Sequence, residues 1–307
     1  MTPFHPSSVI NSPSLSQGLE AFQLSATVAG RSRQTLELYQ RSVEPLIQFL
    51  GDPELGQITP GDLRGYLAHL QEHLNPVTVS IRWRSIKACF NWLENEGWLK
   101  DNPIKHIATP HLPKQYPYVL SDPQVQALLR AAKKRTANWY SFRDYTVILT
   151  FLDCGLRVSE LIHLTLTDLN ALRHSLRVIG KGSKEREVFF GQRLARVMRE
   201  WLSRRTLNLP GDTLFSTRQG YPLRRYNIVR MLHQLGRQAG ISGVRLSPHT
   251  LRHTFATQFI RNGGDPFALQ RLLGHADIQT TMIYVHMAGA ALREAHARAS
   301  PVDRLLS

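Results

Sequence analysis

In this chain a short polar residue followed at once by proline recurs where an apolar period begins, and this pattern fixes where helices start. Thr59-Pro60, Asn75-Pro76 and Ser247-Pro248 all show it. Proline lacks an N–H and has a fixed φ, so it suits the first helical position, while the residue before it caps the free N–H groups. Asp62 completes a capping box after Thr59, and Gln124 does so after Ser121. In "TLELYQRSVEPLIQFL", Leu36, Tyr39, Val43, Leu46, Ile47 and Leu50 share one helical face, with a kink expected at Pro45. In "NPVTVSIRWRSIKACFNWLENEG", Val79, Ile86, Phe90 and Leu93 share another, and Gly97 is the stop. "RDYTVILTFLDCG", "VSELIHL", "LARVMREWL", "RRYNIVRMLHQLGRQAG", "SPHTLRHTFATQFIRNGG" and "DPFALQRLLGH" read as further helices. "SLRVIGKGSKEREVFF" reads as two strands around a basic turn. The expected fold is mostly α with a small β-sheet.

A linker interrupts this series. "DNPIKHIATPHLPKQYPYVL" carries four prolines and no helical period. A chain of 307 residues is long enough for two cores. The expected division is a polar, mobile leader over 1–19, a helical domain over 20–107, a linker over 108–118 and an α+β domain over 119–307.

The net charge of +15 follows this division. Residues 1–118 hold ten Lys and Arg against ten Asp and Glu, whereas residues 119–307 hold 28 against 13. A cationic surface suits a polyanion, and nucleic acid is the first candidate. Arg82, Arg84 and Lys87 share one helix with Thr78 and Ser80, a combination that suits groove or phosphate contact as well as a merely solvated face. No apolar run approaches the roughly 18 residues of a membrane-spanning helix. The leader lacks the basic start and apolar core of a signal peptide. Cys89 and Cys154 lie in apolar helical stretches, as buried thiols in a reducing cytosol do, so a cytoplasmic, nucleoid-associated protein is expected.

Several short stretches carry chemistry. In "SPHTLRHTFAT", His249 and Arg252 are three apart on one face at a helix start, while Leu251, Phe255 and Ala256 point to a core. Imidazole, guanidinium and the positive helix end together suit an anion, although taken alone the pair reads as a surface His and a surface Arg. Zinc on His249 and His253 is excluded: the intervening Thr-Leu-Arg lacks the HExxH glutamate, and no cysteine cluster is near. "GKGSKER" lacks GxxxxGK[ST] and precedes a strand, so it is a hairpin turn presenting Lys181 and Lys184. In "CGLRVSELIHL", Arg157 follows a helix-stopping glycine, and Glu160 is placed to hold its guanidinium. In "LLGHADIQTTMIYVH", Tyr284 lies nine residues after His275; taken alone, it is a core tyrosine with a satisfied hydroxyl.

The order of these stretches is more specific than any one of them. "CGLRVSEL", "IGKGSKEREV", "HTLRHTFAT" and "LLGHADIQTTMIYVH" occur in the sequence of the tyrosine recombinase (phage integrase) family, and the chain resembles that family from about residue 20 to about 295, most of all its Xer branch. The resemblance implies a SAM-like, helical core-binding domain followed by a catalytic domain, clamped around duplex DNA in a C shape. It implies that Arg157 and Arg252 hold the scissile phosphate, Lys181 (or Lys184) protonates the leaving oxygen, and His249 assists proton transfer at the tyrosine. His275 would hold a phosphate oxygen, Glu160 would support the site, and Tyr284 would be the nucleophile. Four protomers would act on two DNA sites through a Holliday junction, alone or with a second recombinase. The tail "AGAALREAHARASPVDRLL" would dock on a neighbouring protomer.

The chemistry agrees with these assignments. A phenol of pKa about 10 attacks poorly unless its proton is removed. A phosphodiester under attack gains charge on its non-bridging oxygens, and fixed guanidinium donors meet it. The 5′ oxygen leaves badly as an alkoxide, so an acid matters. Charge met by arginines needs no metal, and a phosphotyrosine linkage that keeps the bond energy needs no ATP or other cofactor. The competing readings are a type IB topoisomerase-like relaxing enzyme and a DNA-binding regulator on the same scaffold. A dedicated core-binding domain favours recombination over the first, and filled catalytic positions argue against the second.

Overall fold

A computed structural model describes residues 13–109, 116–134, 138–180, 184–205, 212–289, 300 and 302. The chain divides into two compact units, Met1–Lys114 and Gln115–Ser307.

The first unit consists of α1 (Leu15–Val28), α2 (Arg33–Leu50), α3 (Pro60–His73) and α4 (Pro76–Asn95). α1 lies partly within the expected leader. Ser14 caps it in a box with Gln17, and Leu15, Leu19, Phe22 and Ala26 are buried at helical spacing, so the fold begins before residue 19. α2 continues as one helix through Pro45. α3 starts as its sequence requires: the Thr59 backbone N–H donates to Asp62 at 2.8 Å, and the Asp62 N–H donates to Thr59 Oγ1 at 3.2 Å. Asn75 Oδ1 accepts from the Thr78 N–H at 3.0 Å at the start of α4. The core joins Leu19 and Phe22 of α1, Val43 and Leu46 of α2, Leu63 and Tyr66 of α3, and Val79, Trp83, Ile86 and Phe90 of α4. Each large side chain buried there contributes about 1.5–3 kcal/mol.

In the second unit, α5 (Asp122–Lys133), α6 (Trp139–Cys154) and the short α7 (Val158–His163) precede the strands β1 (Leu169–Asn170), β2 (Ser175–Ile179) and β3 (Glu185–Phe189). α8 (Gln192–Arg204), α9 (Arg225–Gln238), α10 (Pro248–Arg261), α11 (Pro266–Leu273) and α12 (Gln279–Ala288) follow. Among the described residues the strands form an antiparallel sheet in the order β1-β2-β3, with Leu176 opposite Val188 and Val178 opposite Arg186. α6 is apolar nearly all round because α5, α8 and α10 pack against it. A smaller cluster of Phe255, Ala256, Ile260, Leu269, Leu273 and Tyr284 ties α10, α11 and α12 together.

One glycine is required where these helices converge. Gly155 ends α6 in the left-handed region at φ +60°, and a Cβ there would lie 2.2 Å from Phe255 Cδ1.

Candidate active site

Three helix ends meet in the second unit. Ser247 Oγ accepts from the Thr250 N–H at 3.2 Å and starts α10, whose first turns carry His249, Arg252 and His253. α6 and α11 end beside it, and their last carbonyls, the negative ends of the two helices, face guanidinium groups. Arg252 is only 4% exposed. It donates from Nη1 to Gly155 O at 2.6 Å and from Nη2 to Leu273 O at 2.7 Å. Arg157 donates from Nη2 to Gly274 O at 3.3 Å.

Glu160 is the anion within this group. Its Oε1 accepts from Arg157 Nη1 at 2.8 Å, and its Oε2 accepts from the Arg157 backbone N–H at 2.7 Å. Arg186 donates to both carboxylate oxygens, at 2.8 and 2.9 Å, and Arg252 Nη1 stands 3.9 Å from Oε2. Burial alone would push the Glu160 carboxyl up, but hydrogen bonds from Arg186 and Arg157, with the Arg186 charge, bring it down to about 2. One carboxylate among three guanidinium groups leaves a net positive pocket, which suits a phosphate diester. Burial, then the charge of Arg157, lowers Arg252 to about 10, so it stays cationic at neutral pH.

The Tyr284 ring is 3% exposed and belongs to the small cluster, so it is a core tyrosine as well as a site residue. Its hydroxyl lies 2.8 Å from His253 Nδ1. The expectation from resemblance placed His249 at the tyrosine; the hydroxyl's partner here is His253, one turn further along α10, and the two imidazole centroids are 6.5 Å apart. Burial first, then His249 and Arg252, lowers His253 to about 4, so it is neutral at physiological pH. Burial also raises Tyr284, against the opposing charges of Arg252 and Arg157. The phenol therefore keeps its proton and has a neutral imidazole beside it. His249 is the more exposed histidine, and it too is lowered, by partial burial and then by Arg225, Arg252 and Arg157.

His275 also stands beside the tyrosine, with ring centroids 6.4 Å apart. Arg252 Nη2 lies 3.3 Å from its Nε2. Arginine has no acceptor, so Nε2 accepts, and the ring proton on Nδ1 donates to buried Thr281 Oγ1 at 3.0 Å. Burial, then Arg252, lowers His275 to about 4.

The structure thus brings together Arg157, Glu160, His249, Arg252, His275 and Tyr284. Lys181 lies outside the described residues, as does the tail over 290–299. Lys184 is exposed, and its carbonyl closes the hairpin by accepting from the Gly180 N–H at 2.8 Å. Arg82, Arg84 and Lys87 belong to the first unit. Arg84 is exposed and reaches Ser80 Oγ at 3.0 Å, Lys87 reaches Thr109 Oγ1 at 3.5 Å, and the charge of Arg82 is felt at the buried Tyr66 hydroxyl. Sequence reasoning missed Arg186 and the contact of His253 with Tyr284. For Arg186 a signal existed: period-two alternation along β3 places it on the same face as buried Val188, where a charge needs a partner.

Comparison with known proteins agrees with the fold. The profile described as "Phage integrase family" matches residues 118–290, and "Phage integrase, N-terminal SAM-like domain" matches 19–100. Tyrosine recombinase XerD of Proteus mirabilis is 34% identical over 279 residues, covering 89% of this chain and 88% of the relative. Tyrosine recombinase XerC of Histophilus somni (strain 2336) is 34% identical over 275 residues, covering 88% and 92%. Among solved structures, XerH site-specific recombinase bound to palindromic difH substrate superposes with a TM-score of 0.75 at 22% identity, covering 94% of this chain and 85% of that one. The Tn1549 transposon integrase in complex with transposon right end DNA gives 0.75 at 22%, covering 96% and 100%. With both units matched, and with relatives a third identical along most of its length, the chain belongs to the phage integrase family and is a tyrosine recombinase.

Proposed function

We propose that the protein performs site-specific recombination by cutting and rejoining duplex DNA through Tyr284. The observation that carries this reading is the Tyr284 hydroxyl held 2.8 Å from a neutral imidazole, beside a pocket of three guanidinium groups around one carboxylate. Tyr284 Oη attacks the phosphorus as His253 Nδ1 takes its proton. Arg157 and Arg252 donate to the non-bridging oxygens, where charge builds. His275 acts on the phosphate through Arg252, whose Nη2 it orients. The 5′ oxygen leaves with a proton, which the resemblance assigns to Lys181, and DNA remains joined to the enzyme by a 3′-phosphotyrosyl bond. A 5′ hydroxyl from a partner strand reverses these steps and completes the exchange.

Several features of the reaction belong to the same proposal: a tetramer on two sites, a Holliday junction intermediate, and action alone or beside a second recombinase. The basic excess of the second unit and the Arg82, Arg84, Lys87 and Lys184 side chains are the proposed backbone contacts. Chromosomal Xer-like resolution and movement of a mobile element use this same chemistry.

A nicked suicide duplex tests the reading. Wild-type protein is expected to form a covalent adduct that survives denaturation. Tyr284→Phe keeps the packed ring and is expected to bind DNA normally with no adduct. An adduct persisting in that variant would overturn the assignment. A relaxed circle without strand exchange on paired sites would favour the topoisomerase reading.

A further inference from the structure

Arg186 projects from β3 and has every nitrogen of its guanidinium engaged. Its Nε donates to Leu272 O at 2.8 Å, its Nη1 to Glu160 Oε1 at 2.8 Å and its Nη2 to Glu160 Oε2 at 2.9 Å. A planar fork that fills both carboxylate oxygens is the strongest way to hold a carboxylate. The backbone passes close over it: Gly274 sits at φ +63°, and a Cβ there would meet Arg186 Cδ, Nε and Nη1 at 3.3 Å. Gly274 O accepts from Arg157, and Leu273 O accepts from Arg252. Arg186 therefore grips both supports of the phosphate clamp: Glu160, and the segment 272–274.

The exposure of the three side chains shows how the work is divided. Arg157 is 33% exposed, Arg186 13% and Arg252 5%. With both Glu160 oxygens taken by Arg186, Arg157 shares one of them through Nη1, rests Nη2 on Gly274 O at 3.3 Å, and leaves a third of its side chain open to solvent. If Arg186 were absent, the buried carboxylate would lack its main partner, and Arg157 is the guanidinium placed to fold onto it in a two-pronged pair. That movement would take it away from the phosphate.

We infer that Arg186 is a positioning residue for strand cleavage, one that holds Glu160 and the 272–274 backbone so that Arg157 stays extended towards the phosphate. The inference rests on the proposed Tyr284 chemistry. Arg186 acts through Arg157, so the effect belongs in the rate of covalent bond formation, with DNA affinity unchanged.

Single-turnover adduct formation on the nicked duplex tests this with Arg186→Met, Arg186→Lys, Arg157→Ala and the double variant Arg157→Ala/Arg186→Met. Arg186→Met is expected to slow adduct formation about 10²-fold, the scale of a misplaced catalytic group. DNA affinity by gel shift should stay within about threefold, well below the cost of losing one strong charged contact. Arg186→Lys keeps the charge without the fork and should remain at least about tenfold slow. The double variant should be no slower than Arg157→Ala, because the two residues act as one unit. Wild-type rates in Arg186→Met, or a double variant slowed by the product of the single effects, would overturn the inference. If Arg186→Met does not fold, Arg186→Lys decides: a wild-type rate there overturns it equally. Absence of any adduct from wild-type protein would instead remove the Tyr284 chemistry, and this inference with it.

Discussion

His253 Nδ1 and Tyr284 Oη are 2.8 Å apart, and the two residues are separated in sequence by α11 and the loop after it, which carries His275. The contact places the proposed proton acceptor on α10 and the proposed nucleophile on α12, so the pair forms only when the small cluster of Phe255, Leu269, Leu273 and Tyr284 closes. His253→Ala should slow adduct formation by at least about 10²-fold, the lower range for loss of a general base. His249→Ala should have the smaller effect. The reverse order, measured in single turnover, would return the proton to His249.

The same histidines set an acid limit on stability. His253 and His275 each have a folded value of about 4 against an ordinary 6.5. The unfolded chain therefore binds more protons than the folded one between these values, and stability rises with pH across that window. The contribution is complete above pH 6.5 and is lost as pH falls towards 4. Melting temperature should drop over this range in wild-type protein. His253→Gln, with no titrating ring, should show a shallower drop; an unchanged slope would mean that His253 is not held neutral.

Gly155→Ala should harm fold and site together. The added Cβ meets Phe255 at 2.2 Å on backbone at φ +60°. Left-handed strain and overpacking each cost about 1–3 kcal/mol. The shift also moves Gly155 O, which accepts from Arg252. Gly51→Ala is the control: φ is +77°, but the space is open, so only the strain remains. Urea unfolding should rank Gly155→Ala well below Gly51→Ala, and equal losses would contradict the packing account.

Strand cleavage should proceed in EDTA, because guanidinium groups supply the charge that a Lewis acid otherwise provides. Activity lost to EDTA and restored by magnesium or zinc would show that the site needs an ion.

DNA affinity should fall steeply with salt. Contacts to several phosphates weaken binding by about 10³-fold or more between 50 and 200 mM salt. Because residues 119–307 hold the basic excess, that fragment should retain much of the non-specific affinity. A fragment that does not bind at low salt would contradict this division.

What the sequence disclosed followed local rules. Thr59 with Asp62, Ser121 with Gln124, and Ser247 with Pro248 are signals within four residues, and each starts a helix. Arg157 with Glu160 is also local, three residues apart. α1 was readable in principle, from Ser14 and Gln17 ahead of Leu15, Leu19 and Phe22, but its serine- and proline-rich surroundings resemble a leader. The Arg186–Glu160 and His253–Tyr284 contacts join residues 26 and 31 positions apart, and no spacing rule predicts such pairs. Tyr284 is the core residue that its spacing alone suggests, and burying the ring is also what aims its hydroxyl at His253, as the proposed nucleophile requires.

The carbonyls at the ends of α6 and α11 give the clamp arginines a second employment. A helix end left buried without donors is costly, and Arg252 closes two such ends at once. Natural selection on this fold therefore weighs its residues unequally. A descendant that abandoned strand exchange but kept its shape would shed the tyrosine hydroxyl freely, since Phe fills the same volume. It would keep its need for Arg252, which closes the two helix ends, whereas the hydroxyl at position 284 serves the proposed reaction.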